Sequence, residues 1–401
     1  MSNNTNDIIE KDITTKEMTL SLGPQHPSAH GVLHLILDMQ GELIIKADPD
    51  IGYLHRGTEK IAENLLYPQF VPYTDRLDYM CGMSNNLGYV MAVEKLLGID
   101  ITERGKYIRT IAAELSRLSG HLLCTGAWGL DLGAMSVLLY AMREREMVLD
   151  LFELLCGARM THSYMRIGGV RYDVTPKFME KCRTLVDWMP GKLDEYETLL
   201  TGNRVWMDRN QDVGVVTAED ALDLGLGGPN LRASGVDWDL RRDAPYLIYD
   251  RLDFNVPLGE NGDCFDRYKV RIAEMRESVR IIGQCLDQMP EGPFNVDMPE
   301  IVPPPKKDVY KDMEALIHHF KYVSSGFKVP KGEVYSAIES PKGELGFYIV
   351  SDGSEKPMRL KIRVPSFCNL QATDHMTKGG YLADVVAVIS SLDPVFGECD
   401  K

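Results

Sequence analysis

Between residues 75 and 200 the sequence returns four times to one pattern, an apolar residue at every third or fourth position. The stretches are 75–97, 102–122, 131–152 and 176–200. Leu77, Met83, Leu87, Val90 and Leu97 line the first, and Ile108, Ile111, Leu115, Leu118 and Leu122 the second. Leu138, Met142, Met147 and Leu151 line the third. That spacing gives each helix one apolar side to turn toward a shared interior. Pro176 falls in the first turn of the fourth, where its missing N–H costs nothing. Long apolar helices in direct succession predict a buried bundle rather than an alternating βαβ sheet.

The flanks follow other rules. Strand-like stretches at 16–22, 32–39 and 43–47, with Gly41-Glu42 as a turn, predict a small antiparallel sheet that ends at Asp48-Pro49-Asp50. Beyond the bundle, 202–262 is irregular and glycine-rich. A long helix starts near Asp263 and stops at Pro290, Pro303-Pro304-Pro305 makes an extended connector, and a short helix covers 312–322. Three strand candidates follow at 333–339, 345–351 and 358–364, with hairpin turns at Pro341-Lys342-Gly343 and Asp352-Gly353, and then a helix at 382–391. The expected class is α+β: a central helical bundle with a small N-terminal β-sheet and a C-terminal α/β portion. The expected division is a disordered tail at 1–15, the sheet at 16–56, the helical core at 57–262, and helix, hairpin strands and terminal helix at 263–401.

Composition removes several classes of function. Lys and Arg number 44 against 59 Asp and Glu, a net charge of −15. Such a chain is a poor ligand for nucleic acid, whose phosphates need clustered cations, and for an anionic lipid surface. No apolar run approaches the roughly 18–20 residues that span a bilayer. The polar start, 1–12, has neither a signal nor a transit pattern. The eight cysteines, at 81, 124, 156, 182, 264, 285, 368 and 399, are never closer than 21 positions. No C-x-x-C pair is therefore present to hold zinc or an iron–sulfur cluster locally. The expectation is a soluble, acidic, intracellular protein with no evident metal of its own.

Candidate chemistry is scattered. In Gly23-Pro24-Gln25-His26-Pro27-Ser28-Ala29-His30-Gly31, followed by His34, Pro27 and Gly31 disfavour a helix that would align three histidines. A tight turn between strands is left. It either carries imidazoles into the space beyond the sheet as proton donors or is structural. Tyr79, in Arg76-Leu77-Asp78-Tyr79 at the start of an apolar helix, is either a buried donor to a developing oxyanion or a core residue. Asp131, in an apolar stretch, either caps the next helix or pairs with a buried His or Arg. Gly168-Gly169 allows close backbone approach. The run Gly225-Leu226-Gly227-Gly228-Pro229 follows a helical pattern, and Pro229 blocks the continuation a nucleotide loop needs. Arg143-Glu144-Arg145-Glu146 predicts a solvated or interface helix face. No G-x-S-x-G, P-loop or H-E-x-x-H occurs, so either the substrate or a partner chain brings the chemistry.

Taken in order, the motifs resemble the 49-kDa, D-type subunit family of the proton-pumping NADH:quinone oxidoreductase, respiratory complex I. They include GPQHPSAHGVL at 23–33, GYLHRGTEK at 52–60, RLDYMCG at 76–82 and ELSRLSGHLL at 114–123. AMREREM at 141–147, YMRIGGV at 164–170, VPLGENGDCFDRY at 256–268, KGEVYSAIES at 331–340 and SLDPVFGECD at 391–400 continue the match along nearly the whole chain. The resemblance implies a fold like the large subunit of nickel–iron hydrogenases, which hold their metals with two C-x-x-C motifs. Here the first counterpart keeps only Cys81 and the second, 393–399, has no cysteine pair. A quinone site in place of the metal site is therefore implied, with no metal or cluster on this chain.

By the same resemblance His30 and Tyr79 hydrogen-bond the quinone headgroup, Asp131 pairs with His30, and Arg56 lies near a 4Fe–4S cluster held by the neighbouring B-type subunit. Tyr and His donors suit the negative charge that reduction puts on quinone oxygens. An Asp beside His30 raises its proton affinity and leaves a mobile charge after turnover. Many members carry a His three residues before the Tyr of YxRxGG, thought to take up a proton when the cluster is reduced. Thr161 holds that position here and His162 follows it, which leaves that coupling open. The resemblance further implies the B-type, C-type and I-type subunits and the membrane-embedded H-type subunit as partners. It also implies peripheral attachment at the cytoplasmic face of a bacterial inner membrane, and quinone reduction by NADH coupled to proton translocation. Two other classes stay open, a hydrogenase-like metalloenzyme and a non-catalytic assembly scaffold.

Overall fold

The structure, a computed structural model, describes residues 17–26 and 31–401. The expected tail, residue 16 and the loop residues 27–30, with His30 among them, lie outside the described residues. The class is the expected α+β. Strands β1 (Glu17–Leu22), β2 (His34–Gln40) and β3 (Leu43–Asp50) form an antiparallel sheet in the order β1-β2-β3. Alternation along β2 buries Leu35, Leu37 and Met39 on one face. That face packs on Leu370, Val385, Ile389 and Phe396 of the last helices in a small separate core. The segment after β3 and the C-terminal turn thereby meet: the Asp400 carboxylate accepts the backbone N–H groups of Gly52 at 2.9 Å and Leu54 at 2.8 Å.

Helices α1 (Thr58–Ala62) and α2 (Tyr67–Thr74) lead into the bundle, α3 (Gly82–Leu97), α4 (Glu103–Asp131) and α5 (Met135–Cys156). The minimal hairpin of β4 (Met165–Arg166) and β5 (Gly169–Val170) and then α6 (Pro176–Tyr196) follow. Two expectations are corrected and a third is resolved. The helix predicted over 75–97 begins only at Gly82, because 75–81 is drawn into a turn by contacts to other segments. Asp131 is the last residue of α4 and does not cap α5, whose N-cap is Ala134. The 143–146 run, open between a solvated and an interface face, is split between the two. Glu144 is fully buried and accepts the Tyr196 hydroxyl at 2.7 Å, while Arg145 is buried and donates to Ser119 Oγ at 3.1 Å.

The glycine-rich stretch holds four short helices, α7 (Arg204–Asn210), α8 (Ala218–Asp223), α9 (Pro229–Ala233) and α10 (Leu240–Asp243). The long α11 (Cys264–Gln288) opens on Asp263, which accepts the Asp266 N–H at 2.7 Å. After α12 (Lys306–Val309) and α13 (Met313–Ser324), strands β6 (Gly332–Ser340), β7 (Gly343–Ser351) and β8 (Arg359–Arg363) form a second antiparallel sheet. Helices α14 (Pro365–Leu370), α15 (Thr373–Thr377), α16 (Leu382–Leu392) and α17 (Phe396–Cys399) close the chain.

Ionic contacts tie these elements together inside the core. Glu114 of α4 accepts from Tyr249 at 2.6 Å and Ser278 at 2.7 Å, and Glu274 of α11 meets Arg232 at 2.7 Å and His121 at 2.9 Å. Arg232 also reaches Glu339 of β6 at 2.8 Å. Buried charges persist only when paired in this way, so the network fixes β6 and its turn relative to α4 and α11. That turn carries part of the site.

Candidate functional site

Three segments converge on Tyr79. The first is the turn between α2 and α3, pinned where Asp78 Oδ1 accepts the Met80 N–H at 3.0 Å and Asn85 donates to the Asp78 carbonyl at 2.8 Å. Tyr79 stands half-buried on that turn. The second is the C-terminal turn. A Cβ on Gly397 would sit 2.5 Å from the Leu77 carbonyl oxygen and 2.9 Å from the Tyr79 ring, so only glycine lets α17 close on the tyrosine. Arg56 fastens the two, donating to the Arg76 carbonyl at 2.6 Å and the Gly397 carbonyl at 3.0 Å. The third is the β6–β7 turn, where Lys342 is buried, ion-paired with Asp393 and 3.8 Å from Asp78 Oδ2.

The electrostatics follow from burial and this pairing. Burial raises the Tyr79 phenol above its ordinary value, and the Asp78 carboxylate adds to the rise while Lys342 opposes it. Burial by itself would depress Lys342, but the carboxylates of Asp393 and Asp78 outweigh it and hold the ammonium well above its usual range. Glu398 is fully buried and raised by burial and by Asp78, although its Oε1 accepts the Ser366 N–H at 3.1 Å. Asp78 and Asp393 thus share the Lys342 ammonium while Glu398 is raised by the neighbouring Asp78, an arrangement that favours keeping a proton in the cluster.

Asp131 reaches the same neighbourhood through α16. Ser390 donates to Asp131 Oδ2 at 2.7 Å, and Asp393 lies just past the end of that helix. The end of α16 therefore links Asp131 to the lysine cluster behind Tyr79. His30 lies outside the described residues. A cavity of about 550 Å³ opens beside the C-terminal turn, between His55, Phe367, Cys368, Cys399 and Lys401; Tyr79 and Asp131 do not line it.

Thr161 and His162 form a separate locus with Asp75. Thr161 and Ser163 both adopt left-handed backbone, φ 53° and 48°, which is costly for a β-branched threonine. The Ser163 N–H donates to Asp75 Oδ2 at 2.9 Å, and burial pushes the Asp75 carboxyl up to about 6. His162 turns inward, edge-on to the Phe152 ring at 4.5 Å, with Nε2 donating to the Arg159 carbonyl at 3.1 Å. Burial lowers it to about 4, so it is a neutral ring at physiological pH. The hairpin after it is clamped by the buried pair of Arg109 and Glu94 at 2.6 Å, and Gly169 admits Asn295 where a Cβ would lie 2.0 Å from its Oδ1.

Sequence reasoning named Tyr79, Asp131 and Arg56 but missed Lys342, Asp393, Glu398, Asp75 and Ser390. Lys342 occupies a hairpin turn, where lysine ordinarily faces water. The one available signal was a pair of acids inside the apolar run Leu392-Asp393-Pro394-Val395-Phe396-Gly397-Glu398.

Comparison with known proteins decides the family. The family described as respiratory-chain NADH dehydrogenase, 49 Kd subunit, matches residues 131–401. The second D-type subunit of the NADH-quinone oxidoreductase of Rhizobium etli is 61% identical over 390 residues, covering 97% of this chain and 96% of the relative. The D-type subunit of the same oxidoreductase of Geotalea uraniireducens is 57% identical over 388 residues, covering 97% of this chain and all of the relative (100%). The chain belongs to the 49-kDa, D-type subunit family of NADH-quinone oxidoreductase. It is thus a subunit of a respiratory-chain oxidoreductase complex, built as a hetero-oligomer with the other subunits of complex I. Among the described residues no helix is long and apolar enough to cross a membrane, and no group of three or more His, Cys, Asp or Glu is placed to hold a metal ion.

Proposed function

We propose that this D-type subunit, together with a neighbouring B-type subunit, forms the site where quinone is reduced to quinol. The observation that supports this reading best is Tyr79: a half-buried phenol on a pinned turn, backed by Lys342 and three carboxyls, with Asp131 tied to the same region through Ser390. Quinone takes up two electrons and two protons. In this reading the electrons come from NADH through iron–sulfur clusters, the last a 4Fe–4S cluster on the B-type subunit, and this chain handles oxygens and protons. Tyr79 and His30 donate to a quinone carbonyl oxygen, stabilise the negative charge that gathers there, and then supply protons. The raised phenol keeps its proton until that oxygen becomes basic. The lysine–carboxyl cluster lies behind it to return one.

Asp131 pairs with His30, and the charge left after proton donation is the proposed link to translocation through the membrane-embedded H-type subunit. Arg56 sets a positive charge on the side of the turn that would face the cluster, with Thr161 and His162 flanking it. The C-type and I-type subunits complete the peripheral arm at the cytoplasmic face of the inner membrane. The test is Tyr79→Phe and His30→Ala in the intact complex. Quinone reductase activity should fall by roughly 10²-fold or more, with assembly and NADH oxidation by ferricyanide intact. Unchanged quinone reduction in both variants would overturn the assignment. Lost assembly would favour a scaffold, and stoichiometric nickel a hydrogenase-like enzyme.

A further inference from the structure

Helix α13 turns its apolar side outward. Ala315, His318 and Tyr322 face the body, and Tyr322 packs near Phe327, which stacks on Tyr67 of α2 with ring centroids 6.3 Å apart. On the opposite side Met313, Leu316, Ile317, Phe320 and Val323 are 77, 51, 46, 68 and 58% exposed. Their spacing is that of a buried helix face, so a continuous stripe of large side chains stands in water where scattered ones would be ordinary. The sequence flanking the stripe is rich in lysine. Lys306, Lys307, Lys311, Lys321 and Lys328 have no carboxylate within ion-pair distance among the described residues, in a chain of net charge −15. Of the acids in the same stretch, Asp312 caps α13 by accepting the Ala315 N–H at 3.0 Å and Glu314 lies 3.8 Å from His318, and with Asp308 they leave residues 306–328 with five lysines against three carboxylates.

We propose that the outer stripe of α13 is a docking surface for another protein of the same complex, one that offers an apolar groove rimmed by carboxylates. An apolar helical stripe flanked by five lysines against three carboxylates specifies that chemistry: the groove takes the side chains and the acids neutralise the lysines. An anionic bilayer is disfavoured because the whole chain, at −15, is repelled by it. A second copy is disfavoured because a two-fold contact would set the lysines against each other. The inference rests on membership of a hetero-oligomeric family and is independent of the role given to Tyr79.

The test places the photocrosslinker p-benzoylphenylalanine at position 320 in the assembled complex. The expected product is a crosslink to one partner protein, at an apolar peptide bearing several Asp or Glu. In parallel, the double variant Leu316→Glu, Phe320→Glu should reduce recovery of the full chain in the complex roughly tenfold or more. Its melting temperature as the isolated full chain should match that of the unmodified protein. A crosslink to phospholipid, to a second copy, to residues 1–16 of the same chain or to a basic peptide would overturn the proposal. So would assembly of the double variant at the normal level. A marked fall in the melting temperature of the isolated chain would assign the stripe to the chain's own core and overturn it too.

Discussion

Replacing Lys342 with methionine removes the ammonium that Asp78 and Asp393 share while keeping length and apolar bulk. Lys342 and Asp78 have side chains only 2% exposed, so water cannot screen what is left. Taking one partner from a buried ion pair costs roughly 3–5 kcal/mol, most of it the penalty of the uncompensated charge. The sign of the pH dependence follows. Glu398, already raised by burial and by Asp78, loses the opposing Lys342 charge and stands further above the unfolded chain, where carboxyls titrate near pH 4. A raised carboxyl destabilises the fold when ionised, and stability returns as pH falls through its folded value. The variant should therefore lose most at pH 8 and recover much of the loss by pH 5.5. Adding Asp393→Asn, which removes one of the stranded charges, should restore roughly 1–3 kcal/mol at pH 8. Urea unfolding of the full chain at both pH values reads these differences directly. A loss equal at pH 5.5 and pH 8, with no recovery in the double variant, would refute the electrostatic reasoning.

His162 titrates near 4 in the folded chain against about 6.5 unfolded, so its contribution, about 3 kcal/mol, is present above pH 6.5 and lost as pH falls toward 4. Asp75, raised to about 6, acts in the opposite direction over pH 6 to 4. Asp75→Asn should therefore steepen acid destabilisation and His162→Gln should flatten it, as unfolding titrations would show. For the same reason the potential of any neighbouring cluster should gain no pH slope from His162 between pH 6 and 8, which redox titration of His162→Gln against the unmodified complex checks. Gly397→Ala drives a methyl into the Leu77 carbonyl and the Tyr79 ring, so quinone reductase should fall further than ferricyanide reductase. Ser390→Ala removes a 2.7 Å donor to Asp131 and should slow quinone reduction roughly threefold to tenfold, the scale of one hydrogen bond.

The parts of this molecule that follow from local pattern were legible in its sequence. The periods behind α4, α5 and α11 and the hairpin turns between β6, β7 and β8 reappear within a few residues, because each reflects a single element burying one face. The misplacements all arise from long-range contacts. Residues 75–81 continue the apolar period of α3, yet the Ser163 N–H pulls Asp75 out of helix register and Asp78 pins the turn that presents Tyr79. Lys342 occupies a turn that ordinarily faces water; it is buried because Arg117, within the core network, draws the Ser340 and Glu339 carbonyls inward at 3.1 and 2.6 Å. The run 143–146 stays open between a solvated and an interface face because charge in sequence does not show which face of α5 meets α4 and α6. The motifs located Tyr79, Asp131 and Arg56, but the residues that set their electrostatics come from distant segments, and no local spacing announces them.

In the proposed function the quinone headgroup sits against the Tyr79 hydroxyl. A structure of the assembled complex with a bound short-chain quinone tests it most directly, through the distance from the Tyr79 hydroxyl to the nearer quinone oxygen. The account predicts a hydrogen bond, about 2.6–3.0 Å, on the face of the turn opposite the Lys342 cluster. A headgroup resolved elsewhere, with the Tyr79 hydroxyl in contact with protein alone, would contradict it.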